Sequence, residues 1–305
     1  MDFTELTIGG LTIYEIVWFF LIYSFLGWIL EVVYHAASKG LIVNRGFLNG
    51  PVCPIYGFGM ISILILLNSF FPQGAVNVNL IVLFGFGLVL STIIELFGGW
   101  ALDKLFHARW WDYSDKPFNL NGYICPEFSL YWGLGTVVAV RMLHPFISEI
   151  TINNWPKQIA GPVATVFCAM LAADVTVTVM IVMGLNKKLA ELDEIKASMR
   201  TVSDELSTVL GNSSIETMQR LEEQRVQSSL ARDLLKERAG EISQDVHDKV
   251  QVLLDKEDEL KSKEAALYER LTKGRVFGPR RLFRAFPDLK IPDHSALLED
   301  LRKRL

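Results

Sequence analysis

From Ile159 to Leu185 the chain carries one charged side chain, Asp174. As a helix rising about 1.5 Å per residue, this stretch is long enough to cross a hydrocarbon core of about 30 Å. Four further stretches share its character: about Glu15 to Ala37, Pro54 to Phe71, Leu80 to Leu105 and Phe128 to Phe146. Lipid offers no hydrogen-bond partner to a bare backbone, so stretches like these cross as helices. They predict an all-α integral membrane domain over residues 1–185 with five transmembrane helices.

The remainder differs in kind. Residues 1–185 hold seven Lys/Arg and eleven Asp/Glu, whereas residues 186–305 hold 23 of each. The tail is therefore read as water-soluble, a helical or coiled-coil region over 186–271 followed by a basic-aromatic segment over 272–305. The N-terminus holds Asp2 and Glu5 and no early Lys or Arg, and the first apolar stretch lacks a small-residue cleavage site, so it reads as a span and not a secretory signal. Three cysteines are too few for a disulfide framework.

Basic residues orient the bundle. Lys39 and Arg45 follow the first span, Lys104, Arg109 and Lys116 the third, and Lys187 and Lys188 the fifth. The loop Pro72 to Asn79 has none, and the stretch after Phe146 has only Lys157. Lys/Arg-rich loops stay in the cytoplasm, which predicts an outside N-terminus and a cytoplasmic C-terminus.

The string Leu-Asn-Gly-x-x-Cys-Pro occurs twice, at Leu48 to Pro54 and at Leu120 to Pro126. Each copy follows an apolar stretch containing a carboxylate, Glu31 or Glu95. Each precedes a Tyr and Gly-x-Gly, although the offset to that second feature differs by a few residues. This reads as an internal duplication, and with spans one and three pointing the same way the repeat is parallel. Asn49-Gly50 and Asn121-Gly122 are turn signals, and Pro54 and Pro126 suit a first helical turn. Each frame is either a turn that starts a new span or a short re-entrant piece. Cys53 and Cys125 lack partners at ligand spacing, so packing is the favoured role and no metal is expected.

Within the spans, Glu31, Glu95, Asp174 and Arg141 are the polar candidates. An acid at mid-span costs about 2.5–3.5 kcal/mol on insertion scales, so it should face the bundle interior or a cavity. Glu31 and Glu95 read either as a proton- or cation-handling pair or as carboxylates held by Arg45, Lys104 or Arg109. Asp174 shares a helix face with Thr178 and reads as a pathway residue or as the partner of Arg141. The loop after span three, with Arg109, Trp110, Trp111, Asp112 and Tyr113, reads as an interfacial aromatic belt over a polar cap.

Phe25-Leu-Gly-Trp-Ile-Leu-Glu with Asn44-Arg-Gly-Phe-Leu-Asn-Gly-Pro, and Glu95-Leu-Phe-Gly-Gly-Trp with Trp110-Trp-Asp-Tyr-Ser, Pro117-Phe-Asn-Leu-Asn-Gly-Tyr-Ile-Cys and Tyr131-Trp-Gly, carry a family resemblance. Over about residues 14–185 the chain resembles the putative ABC-transporter type IV family of bacterial membrane proteins. It departs from the family's pattern at Tyr123 and Pro126. The resemblance implies a permease-like protein in the bacterial plasma membrane. The chain has no Gly-x-x-x-x-Gly-Lys-Ser/Thr string, so an ATPase would be a separate subunit.

In the tail, Leu192, Ile195, Met199, Val202, Leu206 and Val209 form a heptad seam. Gly211-Asn-Ser-Ser is expected to end it, with further helices over 214–240 and 241–271. Arg280, Arg281 and Arg284, interleaved with Phe277, Phe283 and Phe286, predict docking on anionic lipid or an acidic partner. No nucleic-acid module, cofactor motif or catalytic set is recognisable. Three functions are thus open. The first is a permease-like subunit moving a small solute or ion, working as a homodimer or beside an ATPase. The second is a non-transporting scaffold or sensor acting through its tail. The third is a lipid-modifying enzyme using the Trp110 to Asn121 loop.

Overall fold

The computed structural model describes the backbone of residues 6–153, 155–223, 229–272, 278–287 and 289–304, and side chains over the same residues except 152, 153, 157, 210, 212–243 and 245. Phe277 falls outside them. A short hairpin comes first, β1 (Thr7–Ile8) paired antiparallel with β2 (Leu11–Thr12). Its turn residues Gly9 and Gly10 both have positive φ, the conformation that tight hairpins demand. Thr12 then caps α1 (Ile13–Lys39) in a reciprocal box with Glu15, and Gly40 ends that helix in the left-handed conformation.

The apolar stretches are helices: α1, α2 (Pro54–Phe70), α3 (Leu80–Phe106), α4 (Pro126–Val138) with its continuation, and the first part of α6 (Lys157–Glu223). Four of these are long and apolar enough to cross a membrane, and α2 is a shorter apolar helix. Beyond α4 the helical path continues through a wide-turn stretch at Ala139–Leu143, α5 (His144–Ser148) and a second wide stretch at Glu149–Asn153. Pro145 accounts for the first. It has no N–H, and its ring collides with the carbonyl four residues back, that of Arg141. The backbone widens there, and the His144 N–H bonds to the Ala139 carbonyl.

α1 packs on α2 and α3 on α4. Phe19, Tyr23, Ile63, Leu64, Leu83 and Val140 build the main core, while Tyr14 and Trp18 of α1 meet Ala160 and Ala164 of α6. The outward faces stay apolar: Leu30, Val33, Ile81, Ile93, Phe97 and Met170 are exposed. That is the surface pattern of a chain whose solvent is lipid.

The chain divides into two compact units, one of residues 1–184 and 274–298, the other of 185–273 and 299–305. In the second, α6 (Lys157–Glu223) runs through Gly211-Asn-Ser-Ser without a break, and α7 (Ser229–Thr272) runs through Gly240. The expected helix ends at those points are thereby corrected. An isolated glycine costs a helix only about 1 kcal/mol, which the flanking turns absorb. A groove lined by Thr201, Asp204 and Glu205 of α6 and Val252 and Leu253 of α7 lies between the two helices. Near the chain's end Asp300 of α9 (Ser295–Lys303) receives the Tyr268 hydroxyl and pairs with Lys196 at 3.5 Å. Residues 274–298 of the basic-aromatic segment, with α8 (Pro279–Ala285), belong to the first unit.

Candidate functional site

Cys53 and Cys125 are the N-cap residues of α2 and α4, and Pro54 and Pro126 open those helices. Each frame therefore sets down a new helix. The helices that follow then meet their partners in matching ways. Gly57 lies against Phe20 and Ser24, so close that an added methyl would sit 2.2 Å from the Ser24 hydroxyl; Gly133 lies against Phe84 and Leu88. Phe20 precedes Glu31 by the same interval as Phe84 precedes Glu95. The second pair has one extra helical turn between Cys-Pro and Gly-x-Gly, which accounts for the offset noticed in the sequence. A whole turn leaves the same face pointing at the partner helix.

The residue before each of these glycines reaches the carboxylate. Tyr56 donates its hydroxyl to Glu31 at 2.7 Å, and the Trp132 indole N–H donates to Glu95 at 3.2 Å. The Tyr56 and Trp132 rings touch edge to face, centroids 5.5 Å apart, and so join the two carboxylates into one polar nest. Beyond that the acids part. Glu31 is half-buried and has Arg45 at 3.7 Å. Glu95 is 6 % exposed, and its partners are two neutral donors, Trp132 and the Tyr113 hydroxyl at 3.0 Å. Burial, and after it the facing carboxylate, hold the Tyr113 phenol well above its usual range, so Tyr113 stays a proton donor.

Asp174 takes no part in this nest and does not pair with Arg141. Its carboxylate receives the Asn49 amide N–H at 3.0 Å, the Asn49 side chain at 2.9 Å, the Gly50 N–H at 2.7 Å and the Thr178 hydroxyl. It is an anchor for the first Asn-Gly turn. Arg141, in the widened part of its helix, donates to the Val78 carbonyl at the opposite end of the bundle. Asn121 and Gly122 are both left-handed, as a tight turn requires, and their own loop holds them: Asn119 accepts from the Gly122 N–H at 3.0 Å and Arg109 donates to the Asn121 carbonyl at 3.1 Å.

The loop between α3 and α4 is packed more tightly than an interfacial belt would be. Trp110 is buried against Phe47 and Phe106, and the Trp111 indole donates to the Tyr123 carbonyl. Tyr123 donates to Asp103 at 2.6 Å, beneath the Arg109 guanidinium, which pairs with the same carboxylate at 3.1 Å. Burial, with the Glu31 charge adding to it, pushes the Cys53 thiol up to about 12, which makes it a packing group and a poor nucleophile.

The basic-aromatic segment sits on both loops. Arg281 is 7 % exposed and donates to the Gly46 and Phe47 carbonyls at 3.0 and 2.8 Å. Arg45 donates to the Ala285 carbonyl at 2.9 Å and lies over the Phe286 ring. Lys290 exchanges backbone hydrogen bonds with Arg109 and sets its ammonium 2.6 Å from Asp112. Burial works against the ionised Asp112, but Lys290 and the Ser114 hydroxyl and amide outweigh it and hold the carboxyl below the usual range. The Arg281 expectation of lipid or partner docking is corrected: its guanidinium is spent on the chain itself. Arg280 is partly buried and Arg284 is exposed. Sequence reasoning missed Tyr56, Trp132 and Lys290. The first two were detectable as the aromatic residues preceding Gly-x-Gly, whereas Lys290 carried no signal.

The model of the family described as "Putative ABC-transporter type IV" matches residues 18–179, more than half of the chain, and the chain belongs to that family. The match spans Glu31, both frames, the α3–α4 loop and Asp174. Neither the curated proteins nor the solved structures gave a match.

Proposed function

We propose that this family member is a permease-like membrane subunit that moves a small solute or ion, with the joined carboxylates of Glu31 and Glu95 handling a proton or small cation on the path. In this reading α1, α2, α3, the α4–α5 stretch and the first part of α6 are five spans, the two helix pairs descend from one duplicated unit, the N-terminus is outside and both frames face the cytoplasm. The observation that carries the reading is Glu95: a buried acid in an apolar helix, answered by neutral donors and connected through two rings to a second acid. Intramembrane acids of this kind mark ion and proton paths. A separate ATPase chain would supply the energy, and a homodimer would enlarge a pathway that five helices make narrow.

The test is potential-driven proton entry into vesicles reconstituted with the intact protein, read with a trapped pH dye under a potassium–valinomycin gradient. Wild type should acidify the lumen, and the Glu31→Gln/Glu95→Gln variant should not. Equal rates would reject the carboxylate role. A second reading, a scaffold or sensor acting through its tail, draws support from α6, one uninterrupted helix from the apolar stretch into the charged region. It predicts that the intact protein brings a non-ATPase partner out of membranes with it.

A further inference from the structure

The segment from Gly278 to Ile291 reaches both halves of the nest through residues one step removed from the acids. Arg45 is shared: its guanidinium lies 3.7 Å from Glu31 and donates at 2.9 Å to the Ala285 carbonyl. On the other side Lys290 holds Asp112, and the neighbouring Tyr113 donates to Glu95. Arg281 closes the middle on the Gly46 and Phe47 carbonyls, just before the Asn49-Gly50 turn that Asp174 anchors. One short segment thus touches the Glu31 arm, the Glu95 arm and the backbone between them.

We propose that this segment is a releasable latch on the carboxylate nest. Seated, it fixes Arg45 and the Asp112–Tyr113 turn and keeps water from Glu95. Released, it opens the nest to the aqueous side. Two features argue for release over permanent packing. Arg281 is a buried guanidinium whose hydrogen bonds go to carbonyls and whose Nε has no partner, so its desolvation is incompletely offset. The Lys290–Asp112 pair sits on the rim with Lys290 exposed, where salt and competing charges weaken it. Arg45 gives the switch its direction, since losing Ala285 frees it to close on Glu31.

The test needs no flux, so it can fail or succeed independently of the transport reading. Membranes holding the full chain are treated with a water-soluble carbodiimide and glycine ethyl ester, and modification of Glu95 is read by mass spectrometry. Arg281→Ala/Lys290→Ala should raise modification at least about tenfold over wild type. In a second protein, Arg109→Cys/Lys290→Cys, the two positions exchange backbone hydrogen bonds, a spacing that a disulfide can bridge. Oxidised, this protein should label no more than wild type, and reduction of the same sample should raise the label. Equal labelling of the oxidised and reduced forms overturns the latch, as does wild-type labelling in the alanine variant. Failure of the disulfide to form overturns it too, because the seated arrangement would then be wrong.

Discussion

The α1–α2 and α3–α4 pairs present matching glycine contacts, an aromatic donor before the glycine and a glutamate to receive it, yet they treat the acid oppositely. Glu31 has a cation at 3.7 Å and partial access to water; Glu95 has neither. The cause is visible in the frames. Arg45 stands three residues before Leu48, and the corresponding place before Leu120 is Pro117. A shared scaffold can therefore set two carboxylates in different surroundings, one facing a cation and one facing neutral donors. The pairs also differ in what supports their turns. The first leans on Asp174 of a distant helix, and the second is held by its own loop.

The largest expected effect separates the acids. Glu95→Ala orphans two half-buried donors, Tyr113 and Trp132, each costing up to about 1–3 kcal/mol. Glu31→Ala leaves Tyr56 unpaired, while Arg45 keeps Ala285. Chemical unfolding in detergent should show the Glu95 variant as clearly the less stable. The reverse order would mean that the first pair is the one under greater electrostatic demand. Glu95→Gln, whose carbonyl oxygen can accept from the Trp132 indole while its amide donates to the Tyr113 hydroxyl, should recover most of the stability while losing proton entry.

Next comes Asp174→Asn. Hydrogen bonds to a charged group contribute about 1.5–3 kcal/mol, and this carboxylate collects them from Asn49 and Gly50. Loss of the charge should loosen the first frame and leave the second untouched. Hydrogen exchange is the measurement: faster exchange at Asn49 and Gly50, with Asn121 and Gly122 unchanged. Equal loosening of both turns would show that the frames are mechanically one unit.

How much of this was readable beforehand follows from the range of each interaction. The helices lay open in the sequence because apolar runs are local and lipid leaves few alternatives. The frames were legible as helix starts for the same reason. The pairing of Asp174 with Asn49, and of Arg281 with Gly46 and Phe47, was not, since side chains far apart in the chain carry no mark of their partner. Arg281 and Arg284 look alike in sequence, yet one is buried and the other exposed. Gly211 misled because a glycine is a helix end only when the chain has reason to turn there, and α6 has none.

Glycine substitution should give a smaller difference. At Gly57 a methyl meets the Ser24 hydroxyl at 2.2 Å and the Phe20 carbonyl at 2.7 Å, and backbone cannot step aside. At Gly133 its nearest neighbour is the Phe84 ring at 2.8 Å, which can swing. Overpacking costs about 1–3 kcal/mol, and Gly57→Ala should sit near the top of that range with Gly133→Ala well below it. Equal unfolding midpoints would place the tighter helix contact elsewhere.

The smallest effect is a pH dependence confined to one arm of the segment. Asp112 faces Lys290 and Ser114, with Arg109 and Asp115 close by, and its carboxyl is held below the usual range. A depressed carboxylate contributes stability that is present above its unfolded value, about 3.9, and lost as pH falls through the folded one. Lys290 is raised, chiefly by its hydrogen bond to Asp112, so its share is present below about 10.4 and lost as pH climbs through the higher folded value. The pair should therefore hold across the neutral range. Because Lys290 is exposed, it is worth at most about 1 kcal/mol. The hydrogen bonds of Arg281 go to carbonyls of the first loop, which do not titrate, while the Asp174 charge faces it without a hydrogen bond. The stability gap between wild type and Asp112→Asn should accordingly be full at pH 7 and close as the medium is acidified past the carboxylate range. The gap between wild type and Arg281→Ala should keep most of its size through the same acidification, because its hydrogen bonds do not titrate and only the Asp174 attraction does. If both gaps closed together, the two arms would release as one, and the segment would behave as a single contact instead of two.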